Sequence, residues 1–190
     1  MKNRYFVFEG IDCSGKTTAI NRVIKKLGKE DYAYVKGIGS NSLLGKIAKK
    51  VHSTSIFCLE LIFNYLLRVR PIIKKGKCVL QDRNIISITS YLSKNKRYKK
   101  RYILRLAKKL TLNPDAIIYL HLPLYERINR LKNKGGYYES FLSKNPRIIS
   151  EREIEYNKWY LGFNGPKIEI DTEKNNISQT VDKIVTFIKK

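Results

Sequence analysis

Between Tyr5 and Leu27 the chain sets a strand, a glycine loop and a helix end to end within 23 residues. Tyr5-Phe6-Val7-Phe8 is a short apolar run rich in β-formers, and Ala19, Ile20, Val23, Ile24 and Leu27 recur at helical spacing. Between them stands Gly10-Ile11-Asp12-Cys13-Ser14-Gly15-Lys16-Thr17, followed by Thr18, which fits the pattern Gly, four residues, Gly-Lys-Ser/Thr. Glycines at both ends let successive backbone N–H groups turn inward around a phosphate. The following helix adds its positive dipole end. Lys16 can then reach the β- and γ-phosphates of ATP, and the Thr17 hydroxyl can ligate the magnesium that accompanies it. A phosphate-binding loop in this setting commits the chain to a sheet whose strands end at a ligand.

The rest of the chain repeats that alternation. Ala33 to Lys36, Cys78 to Gln81, Ala116 to Leu122 and Lys167 to Ile170 read as further strands. The strand at 116–122 is apolar nearly throughout, as a strand buried on both faces should be. Helical patterns lie between them: one after Leu43, a long one from Ser55 to Lys74 with Gly76 as its stop, and a short one from Ser87 to Ser93 with a serine cap. Others are expected over Tyr102 to Leu110, Leu124 to Leu131, Ile148 to Tyr160 and Ile177 to Ile188. The expectation is an α/β fold with a parallel sheet of about five strands wrapped by helices on both faces. Ligands in such sheets bind beyond the carboxyl ends of the strands, where the phosphate loop, Lys36 and Asp82-Arg83 all fall.

Composition narrows the class. A chain of 190 residues with 43% apolar residues can bury a core as one domain, and no stretch approaches the ~18 apolar residues of a membrane span. The first strand begins so early that no signal peptide is expected. Cys13, Cys58 and Cys78 are odd in number and widely spaced, which argues against a disulfide framework or zinc site and for a reducing cytoplasm. The net charge of +23 admits three readings: a Lys-rich compositional bias, attraction of anionic small molecules, or nucleic-acid binding. Lys94 to Arg101 carries six Lys or Arg in eight residues and reads as a solvated connection leading into the basic helix at Tyr102.

Taken together, these residues resemble the thymidylate kinases, a branch of the P-loop nucleoside monophosphate kinases. The likeness rests on Phe8-Glu9-Gly10-Ile11-Asp12 through Thr18, where Asp12 is a mark that ordinary phosphate loops lack. It rests also on Asp82-Arg83 followed by Ser87 and Tyr91, on Gly76 and Pro71 at matching distances upstream, and on Phe57. Lys36 with Gly45-Lys46 nine residues on, Pro114-Asp115, and Arg130 with the polar glycine-bearing segment after it complete the set. The resemblance implies a three-layer sandwich, a single kinase domain over 1–190 with a lid near 130–145, and transfer of the ATP γ-phosphate to dTMP to give dTDP with Mg2+. It further implies a homodimer, no membrane partner and a cytoplasmic location. Gly10, Cys13, Ser14, Gly15, Lys16, Thr17 and Thr18 would hold ATP, and Thr17 and Asp82 the metal. Asp12, Lys36, Phe57, Leu61, Arg83, Ser87 and Tyr91 would line the acceptor site. Lys16, Asp82, Arg83, Arg130, Lys132 and Lys134 would carry the chemistry. Trp159 and Tyr156 read as packing, and His121 as structural.

The departures have consequences. Leu61 stands where the family places a base-reading arginine, Leu92 where a polar residue usually follows the tyrosine, and Lys36 where an arginine binds acceptor phosphate. His121 replaces an aspartate common in the fourth strand, Lys132 and Lys134 replace lid arginines, and Cys13 replaces a loop arginine found in another group. Phosphoryl transfer is expected to survive, and base preference is left open. A nucleoside or other nucleotide kinase of different base preference, and a basic nucleic-acid-binding protein with a residual ATP site, stand as the alternatives.

Overall fold

The computed structural model describes residues 5–51, 53–91 and 94–190. Five strands, β1 (Tyr5–Glu9), β2 (Tyr32–Lys36), β3 (Cys78–Asp82), β4 (Ala116–His121) and β5 (Lys167–Asp171), form one parallel sheet in the order β2-β3-β1-β4-β5. The helices are α1 (Lys16–Leu27), α2 (Leu43–Val51), α3 (Thr54–Asn64), α4 (Arg70–Lys74), α5 (Ile85–Ser90), α6 (Lys94–Leu110), α7 (Leu124–Lys134), α8 (Tyr137–Ser143), α9 (Pro146–Leu161) and α10 (Ile177–Lys189). The expected α/β architecture is therefore present, strand for strand.

The pleat of β1 sorts the core into two layers. Phe6 and Phe8 pack with Ile20 and Val23 of α1 and with Ile184 and Ile188 of α10 on one face. Tyr5 and Val7 point the other way, towards Tyr65 and Val69. Farther along that second face, Ile117 and Tyr119 of β4 meet Leu131, Ile149 and Tyr156. Register places Phe8 and Lys36 level with Asp82, so the phosphate loop, the end of β2 and the end of β3 open on one edge.

Several boundaries differ from the sequence expectation, each for a local reason. The long helix runs from Thr54 to Lys74, but residues Tyr65–Val69 form a π-helical turn. Pro71 has no N–H and its ring crowds the carbonyl four residues earlier, and the wider π turn just before it accommodates both. The basic run is part of the helix and not a connection leading into it: α6 begins at Lys94. Lysine and arginine are good helix formers, and Ile103, Leu104 and Ala107 anchor this helix against the cluster of α3 and α5. The short helix starts at Ile85 and is capped by Asn84, whose side chain accepts from the Ile85 N–H at 2.6 Å, rather than by Ser87. Its expected end at 92–93, and Leu92 with it, lies outside the described residues. The polar segment after Leu131 continues α7 through Lys134, turns at Gly135-Gly136 and re-enters helix as α8.

Candidate active site

A cleft of about 970 Å³ opens at the carboxyl edge of the sheet. One side is the phosphate loop. Gly10 at φ 143° passes so close to β4 that an added Cβ would sit 2.4 Å from the Leu120 carbonyl oxygen, so no side chain is accommodated there. Cys13 adopts φ 66°, left-handed backbone that L-residues rarely take, and it turns the loop towards α1. Lys16 is buried, its Nζ donating to the Ile11 carbonyl at 2.7 Å and to Ser14 Oγ at 3.1 Å. Burial and the neighbouring Arg83 lower its pKa to about 7, against the pull of Asp82, Asp12 and Glu9. An ammonium held near neutrality in this way gains its full charge when an anionic phosphate enters.

Asp82, at the end of β3, accepts from Thr17 Oγ1 at 2.8 Å and from the Tyr34 hydroxyl at 3.3 Å, all through Oδ2. Lys36 Nζ lies 4.0 Å from the same oxygen. Oδ1 is buried with no hydrogen-bond partner among the described residues. A paired hydroxyl and carboxylate with one unsatisfied anionic oxygen is a hard-oxygen donor set, which suits magnesium.

Arg83 is the hub of the opposite wall. Its backbone sits at φ 73°, strained for a non-glycine residue, and is held there from three directions. Its N–H donates to Phe8 O at 3.0 Å, its carbonyl accepts from Gln81 Nε2 at 2.8 Å, and the Gly37 N–H ties the preceding Asp82 carbonyl at 2.9 Å. Gly37 must be glycine, because a Cβ there would lie 1.9 Å from the Arg83 oxygen. Arg83 Nη2 bonds Asp12 Oδ1 at 2.5 Å, and Nη1 reaches Tyr91 Oη at 3.0 Å, Ser87 Oγ at 3.1 Å and Tyr156 Oη at 3.2 Å. Tyr91 in turn donates to Asp12 Oδ2 at 2.9 Å. Burial alone would raise the Asp12 pKa, but Arg83, with Lys16 and the Tyr91 hydroxyl, brings it down to about 2. Asp12 is therefore an anion throughout the working pH range. Behind this set Glu9 accepts from the Asn84 N–H at 2.7 Å and from Ser87 Oγ at 2.6 Å. Its own burial raises its pKa to about 7, the bonds from Ser87 and Asn84 and the charge of Arg83 pulling the other way.

Of the residues singled out from the sequence, Asp12, Cys13, Gly15, Lys16, Thr17, Thr18, Lys36, Phe57, Asp82, Arg83, Tyr91 and Lys134 line the cleft. Gly10 and Ser14 shape the loop beneath them. Four others stand elsewhere. Leu61 is 1% exposed and packs with Ile38, Cys58 and Ile62, so it is a core residue behind Phe57 and not a cleft wall. Ser87 is fully buried and touches the cleft only through Arg83. Arg130 bridges Glu126, the Cys13 carbonyl and the Thr172 carbonyl, tying the phosphate loop to the turn after β5. Lys132 is exposed on α7 and does not line the cleft.

Other residues were not anticipated. Arg152 lines the cleft with its guanidinium 4.3 Å from the Tyr91 ring centre, a cation–π arrangement. Tyr156 is more than packing, since its hydroxyl also lies 2.7 Å from Ser87 Oγ. Arg152 and Tyr156 stand four apart on α9, one helical face, which is the signal that could have joined them. Glu139 faces the cleft and pairs with Lys134 at 2.8 Å. His121 is a structural neighbour of Glu153, at 3.1 Å.

A family model for thymidylate kinase matches residues 8–184. The thymidylate kinase of Brachyspira hyodysenteriae is 28% identical over 201 residues, spanning 100% of this chain and 95% of that one. The probable thymidylate kinase of Methanocaldococcus jannaschii is 28% identical over 198 residues, spanning 98% and 96%. Among solved structures, thymidylate kinase from Ehrlichia chaffeensis superposes with a TM-score of 0.75 at 14% identity over the whole of both chains. That from Candida albicans gives 0.77 at 18%, spanning 99% and 92%. At these identities the superpositions establish a common fold.

Proposed function

The chain belongs to the thymidylate kinase family, and we propose from that premise a division of labour for ATP-dependent phosphorylation of dTMP to dTDP. The observation that carries it is the meeting, in one cleft, of a phosphate loop with the Arg83–Asp12–Tyr91 cluster. Residues Gly10 to Thr18 hold the ATP phosphates. Lys16 exchanges its bonds to Ile11 and Ser14 for bonds to phosphate oxygens. Thr17 and Asp82 hold Mg2+, which when bound neutralises charge on the β- and γ-phosphates. Arg83, Lys36 and Arg152 receive the acceptor phosphate and place it in line with the γ-phosphate. Asp12 and Tyr91 meet the acceptor sugar, Asp12 as a hydrogen-bond acceptor for its 3'-hydroxyl and Tyr91 as the surface beneath it. Phe57 stacks on the base.

No general base is required, because the attacking phosphate oxygen is already anionic. Rate enhancement comes from alignment and from cations arranged around the transferring group. Residues 130–145 act as the lid of a single kinase domain, and Lys134 is the lid cation that faces the cleft. Closure exchanges its bond with Glu139 for one to the transferring phosphoryl group and sheds water.

The protein works as a homodimer through a face formed by α3 and the π turn after it, where Leu59, Phe63, Leu66 and Leu67 stand partly or largely exposed. Its three free cysteines fit a reducing cytoplasm, and no helix among the described residues is long and apolar enough to cross a membrane. A coupled ADP-release assay tests the activity. dTMP should raise turnover well above the ATP-alone rate, and an equal rate with and without every nucleotide acceptor would overturn it.

A further inference from the structure

Beyond the reaction itself lies the choice of base, and one buried carboxylate that the chemistry leaves unused bears on it. Glu60 is the only acid in the sequence between Asp31 and Asp82, and it is 1% exposed. It sits on α3 with both oxygens turned to the loop after β2. Oε2 accepts from the Gly39 N–H at 2.8 Å, and Oε1 accepts from the Ser40 N–H at 2.8 Å and Ser40 Oγ at 2.7 Å. One turn on, Asn64 Nδ2 donates to the Gly37 carbonyl at 3.0 Å. Two residues four apart on one helix face thus strap the same loop. The loop has no room to slide, since an added Cβ on Gly45 at the start of α2 would meet Ser40 O at 2.3 Å and Glu60 Oε1 at 2.5 Å.

What the strap positions is part of the cleft. Ile38 and Gly39 of this loop line it, as do Thr54 and Phe57 from the first turn of α3 and Ile88 of α5. Phe57 lies three residues before Glu60, on the same side of the helix. Ile38, Ile88 and Phe57 pack in one apolar cluster with Leu61 and Cys58. Among the described residues, Thr54 is the only polar side chain that this loop and α3 give the cleft. The charged groups of the cleft lie in other segments, at the strand ends, the phosphate loop, the lid and α9.

We propose that Glu60 is a positioning residue for the acceptor base: it fixes Ile38 and Gly39 relative to Phe57 and Thr54, forming an apolar slot that selects the base by shape and not by a bidentate polar contact. The proposal rests on the acceptor reading of this cleft. A slot of this kind discriminates a methyl group by about 10–200-fold, whereas a site built to hydrogen-bond its ligand rejects the wrong group by about 10⁴–10⁵. dUMP and dCMP are therefore weak substrates within about 200-fold of dTMP, while the larger purines are excluded by the walls. Gln in place of Glu60 puts an amide donor against backbone donors and loosens the loop. Ala in place of Ser40 removes the hydroxyl's bonds to Glu60 and to the Ser42 hydroxyl and N–H, but leaves the two backbone bonds to Glu60, so the strap is weakened and not cut.

The test compares kcat/KM for dTMP, dUMP, dCMP and dGMP, with KM for ATP, in the wild type and in Glu60→Gln and Ser40→Ala. In the wild type, dCMP should fall within about 200-fold of dTMP. Glu60→Gln should raise KM for dTMP about tenfold and narrow the dTMP-to-dGMP preference, with KM for ATP unmoved, and Ser40→Ala should act the same way more weakly. Rejection of dCMP by about 10⁴ or more would overturn the proposal. So would variants that lose thermal stability while keeping the wild-type acceptor ratios. If no acceptor is turned over at all, the kinase reading falls first and this proposal with it.

Discussion

Replacing Lys16 with Met should make the ligand-free protein more stable while slowing its chemistry severely. The ammonium of Lys16 is buried, and its pKa is lowered from 10.5 to about 7 by that burial and by Arg83. At about 1.4 kcal/mol per pKa unit, holding it charged destabilises the fold by roughly 4–5 kcal/mol below pH 7. Methionine removes that cost but leaves the Ile11 carbonyl and Ser14 hydroxyl without their donor, worth about 1–3 kcal/mol. A net gain of about 2 kcal/mol should raise Tm by roughly 4–8 °C in a chain of this size. The sign of the pH dependence follows. Between pH 7 and 10.5 the unfolded chain binds more protons at Lys16 than the folded one, so the wild type gains stability relative to the variant as pH rises. The advantage of Lys16→Met is thus full below pH 7 and lost as pH approaches 10. Thermal denaturation of both proteins from pH 6 to 10 without nucleotide measures it, and turnover should fall by about 10²–10³. A variant less stable than the wild type at pH 6.5, or a difference that ignores pH, would refute the reasoning.

Three other perturbations probe the remaining parts. Arg83→Lys should lower kcat/KM for dTMP by about 10²-fold with KM for ATP nearly unchanged, because a single ammonium cannot meet Asp12, Ser87, Tyr91 and Tyr156 together; steady-state kinetics reads it. Asp82→Asn should raise the magnesium concentration for half-maximal rate by about 10–100-fold, read by titrating Mg2+ at fixed ATP. Leu67→Glu, at a side chain 71% exposed on the turn following α3, should dissociate the proposed dimer in sedimentation without unfolding the protein.

Much of this was legible because it is local. The loop from Gly10 to Thr17 carries its conformation in its own glycines, and β4 shows itself by unbroken apolar character. Asp82-Arg83 could be placed at a strand end from Cys78 to Gln81 alone. What escaped depends on partners far along the chain. Nothing near Arg83 announces a left-handed backbone, because the residues that hold it there, Phe8, Gln81 and Gly37, act through the sheet. Arg152 reaches the cleft only because α9 crosses over Tyr91. Leu61 matched a family position by spacing, yet its neighbours Ile38 and Cys58 draw it into the core. The run from Lys94 to Arg101 misled through charge, since apolar Ile103, Leu104 and Ala107 anchor the helix that contains it. Nothing in the sequence marks Glu60 or Glu9 for their work, because the N–H groups they hold, those of Gly39 and Ser40 and that of Asn84, lie elsewhere in the chain.

Transfer of a phosphoryl group between two phosphates aligned in one cleft is the step on which every assigned role depends. It is tested most directly by incubating the protein with ATP labelled at the γ-phosphate, Mg2+ and dTMP, and separating the products. Label is expected in dTDP, with almost none in inorganic phosphate. Label released as inorganic phosphate at the same rate with and without dTMP would contradict it.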